Sequence, residues 1–234
     1  MMLCASLACG SLLQAQTVLM QDDFHYKTDD LDGHSPAKGT EQWKVGAVKG
    51  VVSTDGSQAV IITGEGKRGQ ETGSVRASYP FDGAPNTLYT LSVTFKFKPM
   101  NESQDCWGGF GFAYPENNIT GPWMLIRPQE NPESEGGAVA FGGGEGKEDV
   151  TAGDMRLASE EMSVPVKAKI TWNSSTGEAH YYINNELKMD WAQTTPFPTG
   201  QVSAFFQGFQ AGDSVKVTNI TLTAEPVKSQ PVKK

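Results

Sequence analysis

Hydrophobic and polar residues alternate along much of this chain with the two-residue period of a half-buried β-strand. In LYTLSVTFKFK, residues 88 to 98, Leu91, Val93, Phe95 and Phe97 share one face, and Ser92, Thr94, Lys96 and Lys98 share the other. That pattern predicts an antiparallel strand with one buried and one wet face. VKAKITW repeats it, with Val166, Ala168, Ile170 and Trp172 inward and Lys167, Lys169 and Thr171 outward. Further strands are predicted at 43 to 47, 58 to 63, 74 to 80, 108 to 114, 122 to 127, 137 to 142, 201 to 207 and 214 to 223. No segment carries a sustained helical period with a cap at its start.

After Trp172 the cluster Asn173, Ser174, Ser175, Thr176 and Gly177 predicts a turn. The return strand, residues 178 to 184, sets Ala179, Tyr181 and Ile183 on one face and His180 and Tyr182 on the other. Asn184 and Asn185 then turn the chain again, asparagine being the non-glycine residue most tolerant of positive φ. His180 is therefore expected on the solvent side of a hairpin.

Composition agrees with an all-β chain. Gly at 26 and Pro at 13 among 234 residues, with 38% hydrophobic, suit many short strands joined by turns. The length suits one large domain with a sizeable core. These features predict a two-sheet antiparallel sandwich. The net charge of −8 and the absence of a basic stripe argue against nucleic acid and anionic membranes as partners.

The first residues, MMLCASLACGSLLQAQTVL, form an apolar run of small residues too short to span a bilayer. They look like the core and cleavage site of a secretory signal, though no Lys or Arg precedes the run. The expectation is a signal over residues 1–16, a sandwich over 17–224, a disordered tail over 225–234 and a secreted product. A lipobox reading at Cys9 fits only in part. With Cys4 and Cys9 removed, Cys106 is the sole mature cysteine, so no internal disulfide forms. It lacks zinc-site spacing and reads as a buried thiol.

ITWNSSTGEAHYYINNEL resembles the late hairpin of concanavalin A-like lectin/glucanase (LamG-type) jelly rolls, in which a D-x-x-T-G-x-x-x-x-Y-V-N-G pattern recurs. Thr176, Gly177, Tyr182, Ile183 and Asn184 match it, and Asn185 replaces the glycine. DDFHYKTDDLDGHSPAKGTEQWKV and VKVTNITLT resemble the opening and closing strands of the same class. The resemblance covers residues 22 to 63 and 164 to 223 and implies an all-β, two-sheet antiparallel jelly-roll sandwich. It does not choose an activity, because this superfamily hosts lectin-like modules and glycosidases.

The resemblance supplies its own tests for catalysis. Glucanases of this class carry their carboxylates as E-x-D-x-x-E on one strand, which alternation places on one face. That string is absent, and so is the Q-[IV]-H strand of alginate-lyase-type jelly rolls. Glu130, Glu133, Glu135, Glu145, Glu148 and Asp149 lie among glycines and prolines and read as a solvated acidic loop. His25 and His34 have no nearby nucleophile motif. The glycine-rich strings at 64 to 69 and 142 to 149 lack the P-loop ending and read as hairpin loops. The resemblance also implies a possible structural Ca²⁺ where the terminal strands meet, with Asp22 and Asp23 opening the first strand and Asp213 preceding the last. TDDLDG does not fit the EF-hand positions.

The stretch DCWGGFGFAYPENNITGPWMLIRP concentrates aromatic residues, glycines and one arginine. Aromatic faces stack on the apolar faces of sugar rings, and glycines admit a ligand to the backbone. Alternation separates Phe110, Phe112 and Tyr114 from Trp107, Gly109, Gly111 and Ala113, without saying which set is core. Trp107, Tyr114, Trp123 and Arg127 are taken as a glycan site on the concave sheet. The reading is a secreted, non-catalytic module that binds a polysaccharide or glycoconjugate. The alternatives are a glycoside hydrolase or polysaccharide lyase with non-standard catalytic residues in 130 to 154, and a structural envelope or matrix protein.

Overall fold

A computed structural model describes residues 15–27, 29–46, 50–63, 75–97, 107–114, 121–128, 138–144, 147–150, 156–157, 165–192, 200–209 and 212–227. The regular elements among them are all strands. In chain order they are β1 (Thr17–Asp22), β2 (Asp29–Asp30), β3 (Lys44–Gly46), β4 (Gly50–Thr54), β5 (Ala59–Thr63), β6 (Val75–Gly83), β7 (Thr87–Phe97), β8 (Trp107–Ala113) and β9 (Trp123–Pro128). They continue as β10 (Ala138–Gly144), β11 (Lys147–Val150), β12 (Arg156–Leu157), β13 (Val166–Asn173), β14 (Glu178–Ile183), β15 (Glu186–Ala192), β16 (Gly200–Phe209) and β17 (Gly212–Pro226).

The strands form two antiparallel sheets. The first runs β15-β14-β13-β7-β17-β5-β4-β2, with β1 also paired to β17. The second runs β11-β10-β9-β8-β16-β6-β3, with β12 paired to β10. The chain changes sheet repeatedly, so β7 lies between β13 and β17 in one sheet and β16 between β8 and β6 in the other. This is the expected two-sheet sandwich, with the terminal strands β1 and β17 side by side.

The alternation read from the sequence sets the core. In β7, Tyr89, Leu91, Val93 and Phe95 are fully buried, and in β13 so are Val166, Ala168, Ile170 and Trp172. The second sheet answers with Phe110 and Phe112 of β8, Met124 and Ile126 of β9, and Ala204 and Phe206 of β16. Trp172 meets Phe112 across the interior, with ring centroids 5.1 Å apart. A second aromatic group gathers Phe24, Trp43, Tyr79 and Phe206. The Tyr181 hydroxyl crosses from β14 and donates to the Gly143 carbonyl of β10 at 2.9 Å. Burial raises its pKa, so it stays a donor.

The hairpin turns follow their residue chemistry. Asn184 and Asn185 adopt φ of 50° and 69° between β14 and β15, the two-residue turn whose twist matches the flanking strands. Ala179, Tyr181 and Ile183 are buried and His180 and Tyr182 are not, as their alternation predicts.

Several elements differ from expectation. β1 lies partly within the apolar N-terminal run, which concealed its own alternation. Asp22 ends the first strand rather than opening it. β2 and β12 are two residues long and carry no periodic signal. β15 was hidden because its register shifts between Tyr181 and Tyr182, leaving Leu187 49% exposed while Met189 is buried. β17 continues to Pro226, two residues into the segment expected to be a tail. The glycine-rich string at 142 to 149 does join a hairpin, β10 with β11. The string at 64 to 69, Cys106 and the acids Glu130, Glu133, Glu135 and Glu145 lie outside the described residues.

Candidate functional site

The glycan site expected from sequence is divided by the fold. Gly108 settles which face of β8 is core, since a Cβ placed there would lie 2.9 Å from the Phe95 ring. Gly108, Phe110 and Phe112 therefore face the interior, and Trp107, Gly109 and Gly111 face outward. The same parity turns Met124 and Ile126 inward on β9 and Trp123, Leu125 and Arg127 outward. Trp107, Trp123 and Arg127 thus share the outer face of the second sheet, all three half-buried. Tyr114 does not join them. It packs against the core, 6.4 Å from the Trp172 ring, because it continues the Phe110–Phe112 parity.

The glycines serve a different purpose from the one read in the sequence. A Cβ on Gly111 would stand 2.5 Å from the Pro122 carbonyl oxygen and 2.7 Å from the Trp123 Cα. Gly111 is what lets β9 close over β8. A Cβ on Gly143 would lie 3.0 Å from Trp123 Cζ2, so the indole rests over bare backbone of β10. These glycines admit neighbouring strands and a tryptophan rather than a ligand.

Three residues that the sequence reading passed over complete this face. Phe205 of β16 sits opposite Gly111 on one side and Ser78 on the other. It points away from Ala204 and Phe206, yet is fully buried. Arg76 of β6 covers it, with the guanidinium carbon 4.4 Å from the ring centroid. Gln207 holds the guanidinium in place: Nε and Nη2 donate to its Oε1 at 3.1 and 2.9 Å. Partial burial lowers the Arg76 pKa, but not enough to threaten its charge at neutral pH. The run AFFQ, with two adjacent phenylalanines in a strand, was the available signal, since adjacent residues must face opposite ways.

The three acids proposed for calcium are not brought together. Asp22 is 1% exposed, and its carboxylate is taken up by donors. Phe24 N–H donates to Oδ1 at 2.9 Å, and Tyr26 O–H and Trp43 Nε1–H donate to Oδ2 at 2.7 and 2.6 Å. Burial pushes its pKa up, against the pull of these three bonds. A set of N–H and O–H donors suits an anion, not a cation. Asp23 instead approaches exposed His25 at 2.8 Å. Asp213 precedes Ile220, the partner of Asp22, by seven residues on β17, about 23 Å of strand. Among the described residues no group of three His, Cys, Asp or Glu could hold a metal.

His180 stands on the outer face of the first sheet, opposite Asp190. Its Nδ1 is 2.5 Å from Asp190 Oδ1, both side chains being largely exposed. Beside it the Lys169 ammonium lies over the Tyr182 ring at 3.9 Å. His34 lies against Tyr26, with ring centroids 4.7 Å apart.

No family model matches the chain, and no curated protein matches it in sequence. Solved structures do. The CBM2 module of the Lactobacillus casei BL23 phage J-1 evolved Dit is similar over 93% of this chain and 99% of that one, at 13% identity and a TM-score of 0.58. The potassium-bound Emp46p carbohydrate recognition domain matches 80% of this chain and 89% of its own, at 10% identity and 0.49. The endo-1,3-beta-glucanase from Streptomyces sioyaensis matches 94% and 99%, at 12% identity and 0.47. At such identities the likeness concerns the fold alone, a two-sheet antiparallel β-sandwich.

Proposed function

We propose that this protein is a secreted, non-catalytic module that binds glycans on the outer face of its second sheet. The observation that carries the reading is the placement of Trp107, Trp123 and Arg127 on that one face, each half-buried. Half-buried indoles on a rigid sheet offer apolar faces to sugar rings, and a neighbouring guanidinium offers donors to hydroxyls. Proteins of similar fold include a CBM2 module, a carbohydrate recognition domain and a glucanase, so the fold alone does not separate binding from hydrolysis. The absence of E-x-D-x-x-E and Q-[IV]-H strings favours binding. Secretion rests on the N-terminal run.

The test is a glycan array on the chain from Thr17, with and without EDTA. Specific binding is expected, reduced at least about tenfold by Trp107→Ala or Trp123→Ala, as the loss of a buried stacking surface implies. Tyr114→Phe should leave binding unchanged, since Tyr114 packs inward. EDTA sensitivity would restore a role for Ca²⁺ outside the Asp22 site. An array with no binding at all overturns the glycan reading and advances the structural-protein alternative.

A further inference from the structure

The chain has four arginines, Arg68, Arg76, Arg127 and Arg156, within a protein of net charge −8. Three of them belong to the second sheet, whereas the first sheet's outer face carries lysines such as Lys96, Lys167, Lys169 and Lys188. Arg76 faces outward from β6, because Val75 and Ala77 are in the core. Arg127 faces outward from β9 and pairs with Val139 of β10, whose other partner is Arg156 of β12. Among the described residues of β6 the nearest acid to Arg76 is Asp82, six positions away and about 20 Å along the strand. Arg76 and Arg127 therefore both stand on the outer face of the second sheet.

Arg76 is also set up for one kind of ligand. Its plane is fixed from below by Phe205 and from the side by Gln207, which takes the Nε/Nη2 edge. No carboxylate among the described residues pairs with it. The Nη1/Nη2 edge keeps its N–H groups, the geometry that receives two oxygens of one anion. A guanidinium already partly dehydrated and held rigid forfeits little entropy on binding such a group. Across the sheet, Trp123 of β9 lies two strands from Phe205 of β16, about 10 Å away. An oligosaccharide reaches both, while a lone anion reaches only Arg76.

Resting on the glycan-binding reading, we propose that the ligand is an anionic polysaccharide whose carboxylate or sulfate ester is received by Arg76, with Trp123 stacking on a neighbouring sugar. Arg127 of β9 lies on the same outer face.

The test titrates the full chain with polygalacturonate, dextran sulfate and unmodified dextran. At least one charged polymer should bind about tenfold or more tightly than dextran, and high salt should weaken it. The polymer that binds identifies carboxylate or sulfate. Arg76→Lys keeps a positive charge near Phe205 but loses the planar fork, and should weaken binding at least about fivefold while the chain still unfolds cooperatively. Lys169→Ala, on the opposite sheet, should leave binding unchanged and so exclude a bulk charge effect. Full affinity in Arg76→Lys, or equal affinity for dextran, overturns the proposal. Binding of neutral glycans alone sinks it while leaving the glycan-binding reading intact, and binding of no glycan sinks both.

Discussion

The outer faces of the two sheets are built from the same alternating strands and end with opposite characters. On the first sheet, Ser92, Thr94, Lys96, Lys167, Lys169, Thr171, His180 and Tyr182 form a wet surface, where side chains meet in exposed pairs such as His180 with Asp190. On the second, Gly111 is buried under β9, Trp123 rests over Gly143, and Phe205 is sealed by Arg76. The first sheet hides one face and leaves the other to water. The second buries part of its outer face as well, at Gly109, Gly111 and Phe205, so Arg76 and Trp123 rest on neighbours of their own. A binding surface needs that rigidity more than it needs exposure.

Mutation should expose this contrast in order of size. Gly111→Ala drives a methyl into the Pro122 carbonyl and the Trp123 backbone, neither of which can rotate away. A loss of about 3 kcal/mol or more is expected in urea unfolding, whereas Thr171→Ala on the first sheet should stay within about 0.5 kcal/mol. Equal effects from the two would break the comparison.

Asp22 comes next, as a buried carboxylate to set against exposed Asp190. Asp22→Ala strands the Trp43 indole N–H and the Phe24 amide, while the Tyr26 hydroxyl keeps the Ser35 carbonyl, and should cost about 2–4 kcal/mol. Its pH dependence has a definite sign. Burial lifts the folded-state pKa above the ordinary 3.8, so folding favours the neutral acid. That contribution is complete below the unfolded value and is lost as pH rises through the folded one. The stability of wild type relative to Asp22→Asn should therefore decline as pH rises from the ordinary carboxylate range through the higher folded-state value. A gap that widens would show that the three hydrogen bonds outweigh burial.

The smallest effect is expected at His180. His180→Ala removes an exposed pair and should change stability by no more than about 0.5 kcal/mol, with glycan binding intact. A loss of binding there would move the functional face to the first sheet.

Much of the sandwich was legible in residue order alone. β7, β13 and β14 alternate cleanly because each has one buried and one wet face, so polarity records orientation. The Asn184-Asn185 turn was legible because few residues tolerate positive φ. β1 was not, since its Val18 and Leu19 merge with the preceding apolar run. β15 was obscured by a register shift, which uncouples sequence parity from burial.

The candidate site was legible only in part, for the same physical reason. In WGGFGFAY both parities are apolar or glycine, so alternation names two sets without naming the core. Trp107, Trp123 and Arg127 could be picked out by composition, and Tyr114 was included with them although its parity assigns it to the interior. Asp22 looked like a metal ligand because a sequence shows an acid but not the donors that surround it.

The sequence by itself determined an all-β chain, its principal strands and the late hairpin, because backbone period and turn chemistry are local properties. Tertiary structure alone decided which side of β8 is core, that Asp22 serves Trp43 and Tyr26, and that Arg76 lies over Phe205 beside Gln207. Arg76 and Gln207 are 131 positions apart in the chain, and only strand pairing across the sheet makes them neighbours.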